Sequence, residues 1–197
     1  MIKIFEAPVM RVKADSPLAQ YAKEQHTTGL AMNEQNAKFV PFLGQKLGIP
    51  DLDVTAISRL GVRNTAGSFL AIKTDVLAKS TIPSLLAQFR ATVNDDYKTF
   101  RASSKLGKEI LASPEYKAFD EKFKAFNDVH SAIRFIMTDL FFATGQSVAL
   151  DLVDGVWYYP AEGLSEENLD HDVVREMLEP VDYQVYFDAK MKTMRKD

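Results

Sequence analysis

The stretch VALDLVDGVWYY, residues 148–159, decides the fold class. Two β-favouring runs flank Asp154-Gly155, and an Asp-Gly pair readily takes the positive φ angles that a two-residue hairpin turn demands. The turn also fixes the register. Leu150 falls opposite Tyr159 and Leu152 opposite Trp157 on one side, with Asp151 opposite Tyr158 and Val153 opposite Val156 on the other. The first face is expected in a core, and the second, mixed face is expected to be partly exposed. A hairpin set in a chain otherwise dominated by helical periodicity makes the class α+β, a helix-rich single domain over 1–197 with short antiparallel strands on a central helical bundle.

Downstream, Ser165 caps a helix with Glu166 and Glu167 in its first turn. Leu169, Val173, Met177 and Leu178 point inward from it, and Pro180 ends it. A last helix runs from Asp182 through Tyr183, Tyr186, Phe187, Met191 and Met194. Upstream, residues 82–143 read as almost wholly helical. Leu85, Phe89, Val93, Tyr97 and Phe100 form one stripe. Ser113-Pro114 starts another helix, with Ser as N-cap and Pro at the first helical position. Its seam is Tyr116, Phe119, Phe123, Phe126, His130, Ile133, Met137 and Leu140, closed by Gly145; Asn127-Asp128 is the alternative point of division. Residues 56–62 and 68–73 read as a second hairpin across Asn64-Thr65-Ala66-Gly67. Ser16-Pro17 opens an N-terminal helix that is expected to break near Gly29 and again at Pro41. Before it, residues 1–13 suggest two short strands or one bent edge strand around Pro8.

Composition excludes several chemistries. At 197 residues, 46% hydrophobic and 26% charged, the chain has the make-up of a globular domain. With no cysteine there is no thiolate nucleophile, no Cys-ligated zinc and no iron–sulfur cluster. The opening MIKIFEAPVMRV lacks the basic and long apolar regions of a secretory leader, and no apolar run reaches membrane-spanning length. A cytoplasmic protein is expected, without cofactor or metal. Gly61 and Gly67 are spaced as a turn and not as a phosphate-binding loop, which also needs a lysine. Ser147 follows a helix and precedes a strand, the reverse of a nucleophile elbow.

The histidines give no catalytic set. His26 lies in a polar stretch, and His130 on an aromatic seam reads first as a core residue. His171, between Asp170 and Asp172 and one turn after Glu167, has a metal-like spacing, but a solvated acidic face is the plainer reading. Charge is more informative. The net charge of −3 argues against direct nucleic-acid binding. Yet ten carboxylates between Asp151 and Asp182 face one base, Arg175, whereas residues 98–124 hold seven bases and four acids. Such a surface attracts basic partners.

The segments EYKAFDEKFKAF (115–126), DYKTFRASSKLGKEI (96–110) and VDGVWYYP (153–160) resemble uncharacterised accessory proteins of tailed phages and prophages of enteric bacteria. The resemblance implies action in the bacterial cytoplasm, with a host or defence protein as the partner, and carries over no site residue.

These readings converge on a non-enzymatic interaction protein. Its expected partner-binding residues are Tyr158, Asp170, Asp172 and Glu176, on the acidic region and the hairpin edge. Two alternatives stand beside it. One is an enzyme or small-ligand binder with a site assembled from distant residues such as Arg63, His130 and Tyr158. The other is a homo-oligomer joined through the aromatic seam.

Overall fold

A computed structural model of the chain describes residues 9–60, 67–160 and 165–194. It is an α+β fold with two antiparallel four-stranded sheets, one in each of two compact units. The terminal unit takes Met1–Thr27 and Asn127–Asp197, and the central unit takes Thr28–Phe126. The chain leaves the first unit within helix α1 (Pro17–Leu47) and returns within helix α5 (Pro114–Thr144).

The sheet of the terminal unit has the order β6 (Asp151–Val153), β7 (Val156–Pro160), β1 (Val9–Val12), β8 (Leu178–Val181). Strand β1 therefore lies inside the sheet, with Met10 opposite Tyr159 on one neighbour and Pro180 on the other. The expected edge strand is corrected to an inner one, because residues 178–181, expected as the end of a helix, form strand β8 beside it. Its alternation is that of a strand covered on both faces. Met10 and Val12 enter a core with Leu18, Leu140, Tyr159, Val174 and Leu178, while Val9 packs with Val153, Tyr158 and Tyr186 of α8 (Tyr183–Met194).

The β6–β7 hairpin has the expected register, Asp151 to Tyr158, Leu152 to Trp157 and Val153 to Val156, on a turn with φ of 48° at Asp154 and 82° at Gly155. The first face is filled largely as expected, with Tyr159 in a core and Leu150 and Trp157 packed against it, but the mixed face is not open. Helix α8 covers the mixed face, burying Val153 and Tyr158, whereas Leu152 on the other face is 53% exposed.

In the central unit the order is β2 (Ile57–Arg59), β3 (Ser68–Lys73), β5 (Tyr97–Arg101), β4 (Phe89–Asn94). The β2–β3 pair is as expected, Ile57 opposite Ile72; its connection, including Arg63, lies outside the described residues. Strand β3 is buried along Phe69–Ile72, and its core includes Phe39, Leu43 and Leu47 from α1, Phe119 from α5, and Ile110 from α4 (Lys105–Ala112). Phe39 and Phe119 stack with centroids 4.9 Å apart, and Phe89 meets Phe100 edge-on at 4.6 Å.

Strands β4 and β5 overturn the helical reading of residues 89–101. The stripe that suggested a helix repeats mostly every fourth residue, and residues four apart also share a face in a strand. The turn Asp95-Asp96 is local: the Asp96 amide donates to Asn94 Oδ1 at 3.2 Å, so the Asn side chain substitutes for a backbone turn.

Both long helices are continuous. Ser16 and Ser113 cap them, accepting from the amides of Ala19 at 3.2 Å and Tyr116 at 3.1 Å. Gly29 and Pro41 do not break α1, and Asn127-Asp128 does not split α5. Pro41 removes one donor to the Ala37 carbonyl, but both residues face solvent, where water can satisfy it. The helix expected from Ser165 to Pro180 is instead α6 (Glu166–Leu169), α7 (Asp172–Met177) and β8. Ser165 caps α6 as expected, and His171 caps α7 by accepting from the Val173 amide.

Gly107 marks a close approach. A Cβ there would lie 2.1 Å from the Arg101 carbonyl oxygen, whereas at Gly29 it would meet the Phe126 ring at 3.5 Å. Gly107→Ala is therefore expected to lower stability by about 1–3 kcal/mol despite its helix propensity, while Gly29→Ala raises it by up to about 1 kcal/mol. Urea unfolding of both variants checks the pair, and a stabilised Gly107→Ala protein contradicts the packing.

Candidate functional site

The acidic segment of the terminal unit is far less negative in space than in sequence. Lys190 and Lys192, both on α8, reach back to Asp151 at 2.9 Å and Asp154 at 3.0 Å. Arg11 on β1 donates to Glu179 on β8 at 2.5 Å, and Arg175 bridges Asp170 at 2.9 Å and Asp172 at 2.5 Å. Three of these bases lie outside the acidic stretch, so a count along the chain misses them.

The tightest of these clusters joins Asp151, Tyr186 and Lys190. The Tyr186 hydroxyl donates to Asp151 Oδ2 at 2.9 Å, and Lys190 Nζ donates to both oxygens, each at 2.9 Å. Donation from Lys190 first, then from Tyr186, holds the Asp151 carboxyl below the usual carboxylate range. The same bonds, to Tyr186 and then to Asp151, push the Lys190 ammonium upward. Through these bonds the trio clamps α8 onto the hairpin.

The sequence-expected site residues separate into two groups. Tyr158 is a core side chain, 4% exposed, with its ring 5.3 Å from that of Tyr186. It is therefore corrected from a surface contact to a packing residue. The cause is α8, which covers the face that strand alternation left open. Asp170, Asp172 and Glu176 are all exposed, on and beside α7, with the Asp170 and Asp172 side chains at 76% and 91%. His130 is exposed too, not part of the core, and its Nδ1 lies 3.0 Å from Gln25 Nε2. Its neighbour on α5, Val129, is buried instead. The assembled site of Arg63, His130 and Tyr158 gains no support, since Tyr158 is buried beneath α8 and His130 stands on an open helix face.

Beside Asp170 lies a groove of about 610 Å³ that sequence reasoning missed. Its floor is Met10 of β1 and, directly across the strand pair, Pro180 of β8, extended by Leu178 and by Leu169 of α6. Its rim carries Glu167, Asp170 and Arg175. The local folding that builds it is legible: Ser165 caps α6, which brings Leu169 to the floor and Glu167 to the rim. Strand β8 is an outer strand, and Pro180 within it offers no amide for a continuous added strand.

The central unit holds a different polar cluster. Arg59 on β2 pairs with Asp120 on α5 and lies 3.9 Å over the Phe123 ring; Lys124 takes the other Asp120 oxygen at 2.7 Å. Burial pushes the Arg59 guanidinium down from its ordinary value, yet arginine remains charged in proteins, so this is an anchor for β2.

Among the described residues no group of three or more histidine or acidic side chains is placed to hold a metal, and no helix is long and apolar enough to cross a membrane. Compared with known proteins, the chain matches no family model, no curated protein and no solved structure.

The clamp makes a pH prediction. Because Asp151 titrates lower when folded, its contribution is present above the unfolded carboxyl value of about 3.9 and is lost as pH falls through the folded value. Asp151→Asn should cost at most about 1 kcal/mol at neutral pH, since the Asp151 and Lys190 side chains are each a third or more exposed. Below about pH 4 its stability should fall less steeply than that of the parent protein. Parallel acid-unfolding slopes for the two proteins contradict the assignment.

Proposed function

We propose that this chain is a non-enzymatic protein-binding protein that takes a basic, apolar segment of another protein into the β8 groove. The observation that carries this reading is the combination of floor and rim. Met10, Leu169, Leu178 and Pro180 offer an apolar bed, and Glu167 and Asp170 stand at its border with only Arg175 opposing them. Arg175 is itself engaged by Asp170 and Asp172, and Glu176 is exposed beside it, so the border is net negative. Apolar side chains enter the floor while lysine or arginine side chains meet the rim, an arrangement that gives affinity through burial and speed through charge. Pro180 favours docking by inserted side chains over strand addition. The resemblance to phage and prophage accessory proteins supports a host or defence protein as the partner, met in the bacterial cytoplasm.

A homo-oligomer is the second reading, and one observation favours it: Phe135 and Phe142, seven residues apart on α5, are 72% and 77% exposed. Sedimentation of the free protein separates the two.

The groove is tested with three labelled peptides of equal length, alternating Lys with Leu, Glu with Leu, and Lys with Ser. Anisotropy should show saturable binding of the Lys/Leu peptide alone. Glu167→Lys combined with Asp170→Lys should weaken it by about tenfold or more with melting close to that of the parent protein. Equal binding of the Lys/Ser peptide, or an unaffected double variant, overturns the proposal.

A further inference from the structure

Strand β1 starts at Val9, and the next residue, Met10, already belongs to the groove floor. Met10 lies opposite Pro180 and Val12 opposite Leu178, two residues along each strand, so Met10, Leu178 and Pro180 share one face of the sheet. The eight residues before the strand read MIKIFEAP, residues 1–8. Ile2, Ile4 and Phe5 are apolar, and Lys3 stands between the two isoleucines. The groove calls for that same chemistry, an apolar bed with Glu167 and Asp170 on its rim. Even the minor charges correspond: the segment holds one carboxylate, Glu6, and the rim one cation, Arg175.

The tether is long enough. At about 3.3 Å per extended residue, Phe5 reaches up to about 13 Å from Val9 and Ile2 up to about 23 Å. Pro8 has no amide to give a neighbouring strand, so the ladder on β1 need not continue into the residues before it.

We propose that residues 2–5 occupy the β8 groove of their own chain, with Ile4 and Phe5 on the floor and Lys3 at the Glu167–Asp170 rim. A partner segment must then displace them. The contact rests on the reading of this groove as a peptide site and deepens it, because the chain carries its own competitor. A short tether holds a segment at an effective concentration on the order of millimolar. If the free segment binds with a Kd of about 0.1 mM, the attached one weakens a competitor about tenfold.

The test compares the full chain with a variant lacking residues 2–7. Full-length Ile4→Ser with Phe5→Ser serves as the second variant and keeps the test open if the truncation fails to fold. The Leu169 methyl resonances report on the floor without added ligand. They should differ between the full chain and both variants, while those of Leu70 in the central unit stay in place. A capped peptide of residues 1–8, added to the truncated protein, should return them toward their full-chain positions. The Lys/Leu peptide should bind both variants about tenfold more tightly than the full chain, and Lys3→Glu should give a gain of about two- to fivefold. Leu169 resonances that coincide in all three proteins overturn the proposal. So do variants that bind the Lys/Leu peptide no more tightly than the full chain does. A Leu169 difference that grows with protein concentration puts the segment in a second copy and also overturns it. If the Lys/Leu peptide binds none of the proteins while Leu169 responds, the internal contact stands and the partner reading fails.

Discussion

The terminal unit depends on one pairing: β1 between β7 and β8. Its residues come from positions 9–12, and its neighbours from 156–160 and 178–181, so the sheet closes only when the two ends of the chain meet. Four residues there serve three purposes. Met10 and Val12 fill one core, Val9 fills the other, and Arg11 carries a charge to Glu179. Without β1 in place, β8 would have no partner strand, and the groove would lose Met10. The loop closed by this contact spans most of the chain, an entropic cost that grows only slowly with length and that burial on both faces can offset.

Electrostatics follows from the same arrangement. A segment with ten carboxylates and one base would repel itself if left to its own sequence. The fold brings Arg11 from β1 and Lys190 and Lys192 from α8 against it, so Glu179, Asp151 and Asp154 are neutralised locally. What stays negative is concentrated near α6 and α7, around Glu167 and Glu176 and where Asp170 and Asp172 share the single Arg175. Exposed pairs of this kind contribute little individually. Their effect is on where the surface field points, which is why charge counted along the chain overstated the acidic face.

Local chemistry was legible in the sequence and long-range pairing was not. Asp154-Gly155, Ser16-Pro17, Ser113-Pro114 and Ser165 each encode a turn or cap within a few residues, and each forms where expected. The α+β class followed from them. The inner position of β1 depends on β8, some 170 residues away, and a short segment bearing Pro180 resembles a helix end more than a strand. Residues 89–101 were misread because a spacing of four fits both a helix face and a strand face; Asn94-Asp95-Asp96, with β-branched Thr92, Val93 and Thr99 around it, was the available signal. At the candidate site, Asp170, Asp172 and Glu176 were found on the surface because charged residues rarely bury. Tyr158 was misplaced because alternation says which face a residue takes but not whether a helix such as α8 will cover that face.

Amide hydrogen exchange at residues 10 and 11 tests the central role of β1 most directly. An inner strand bonded on both sides should protect the amides of Met10 and Arg11 to nearly the same degree as those of the buried strand residue Tyr159, so that they exchange only with global opening of the unit. Exchange at Met10 and Arg11 orders of magnitude faster than at Tyr159 would contradict the account, since β1 would then be a frayed terminus and not the strand on which the sheet closes.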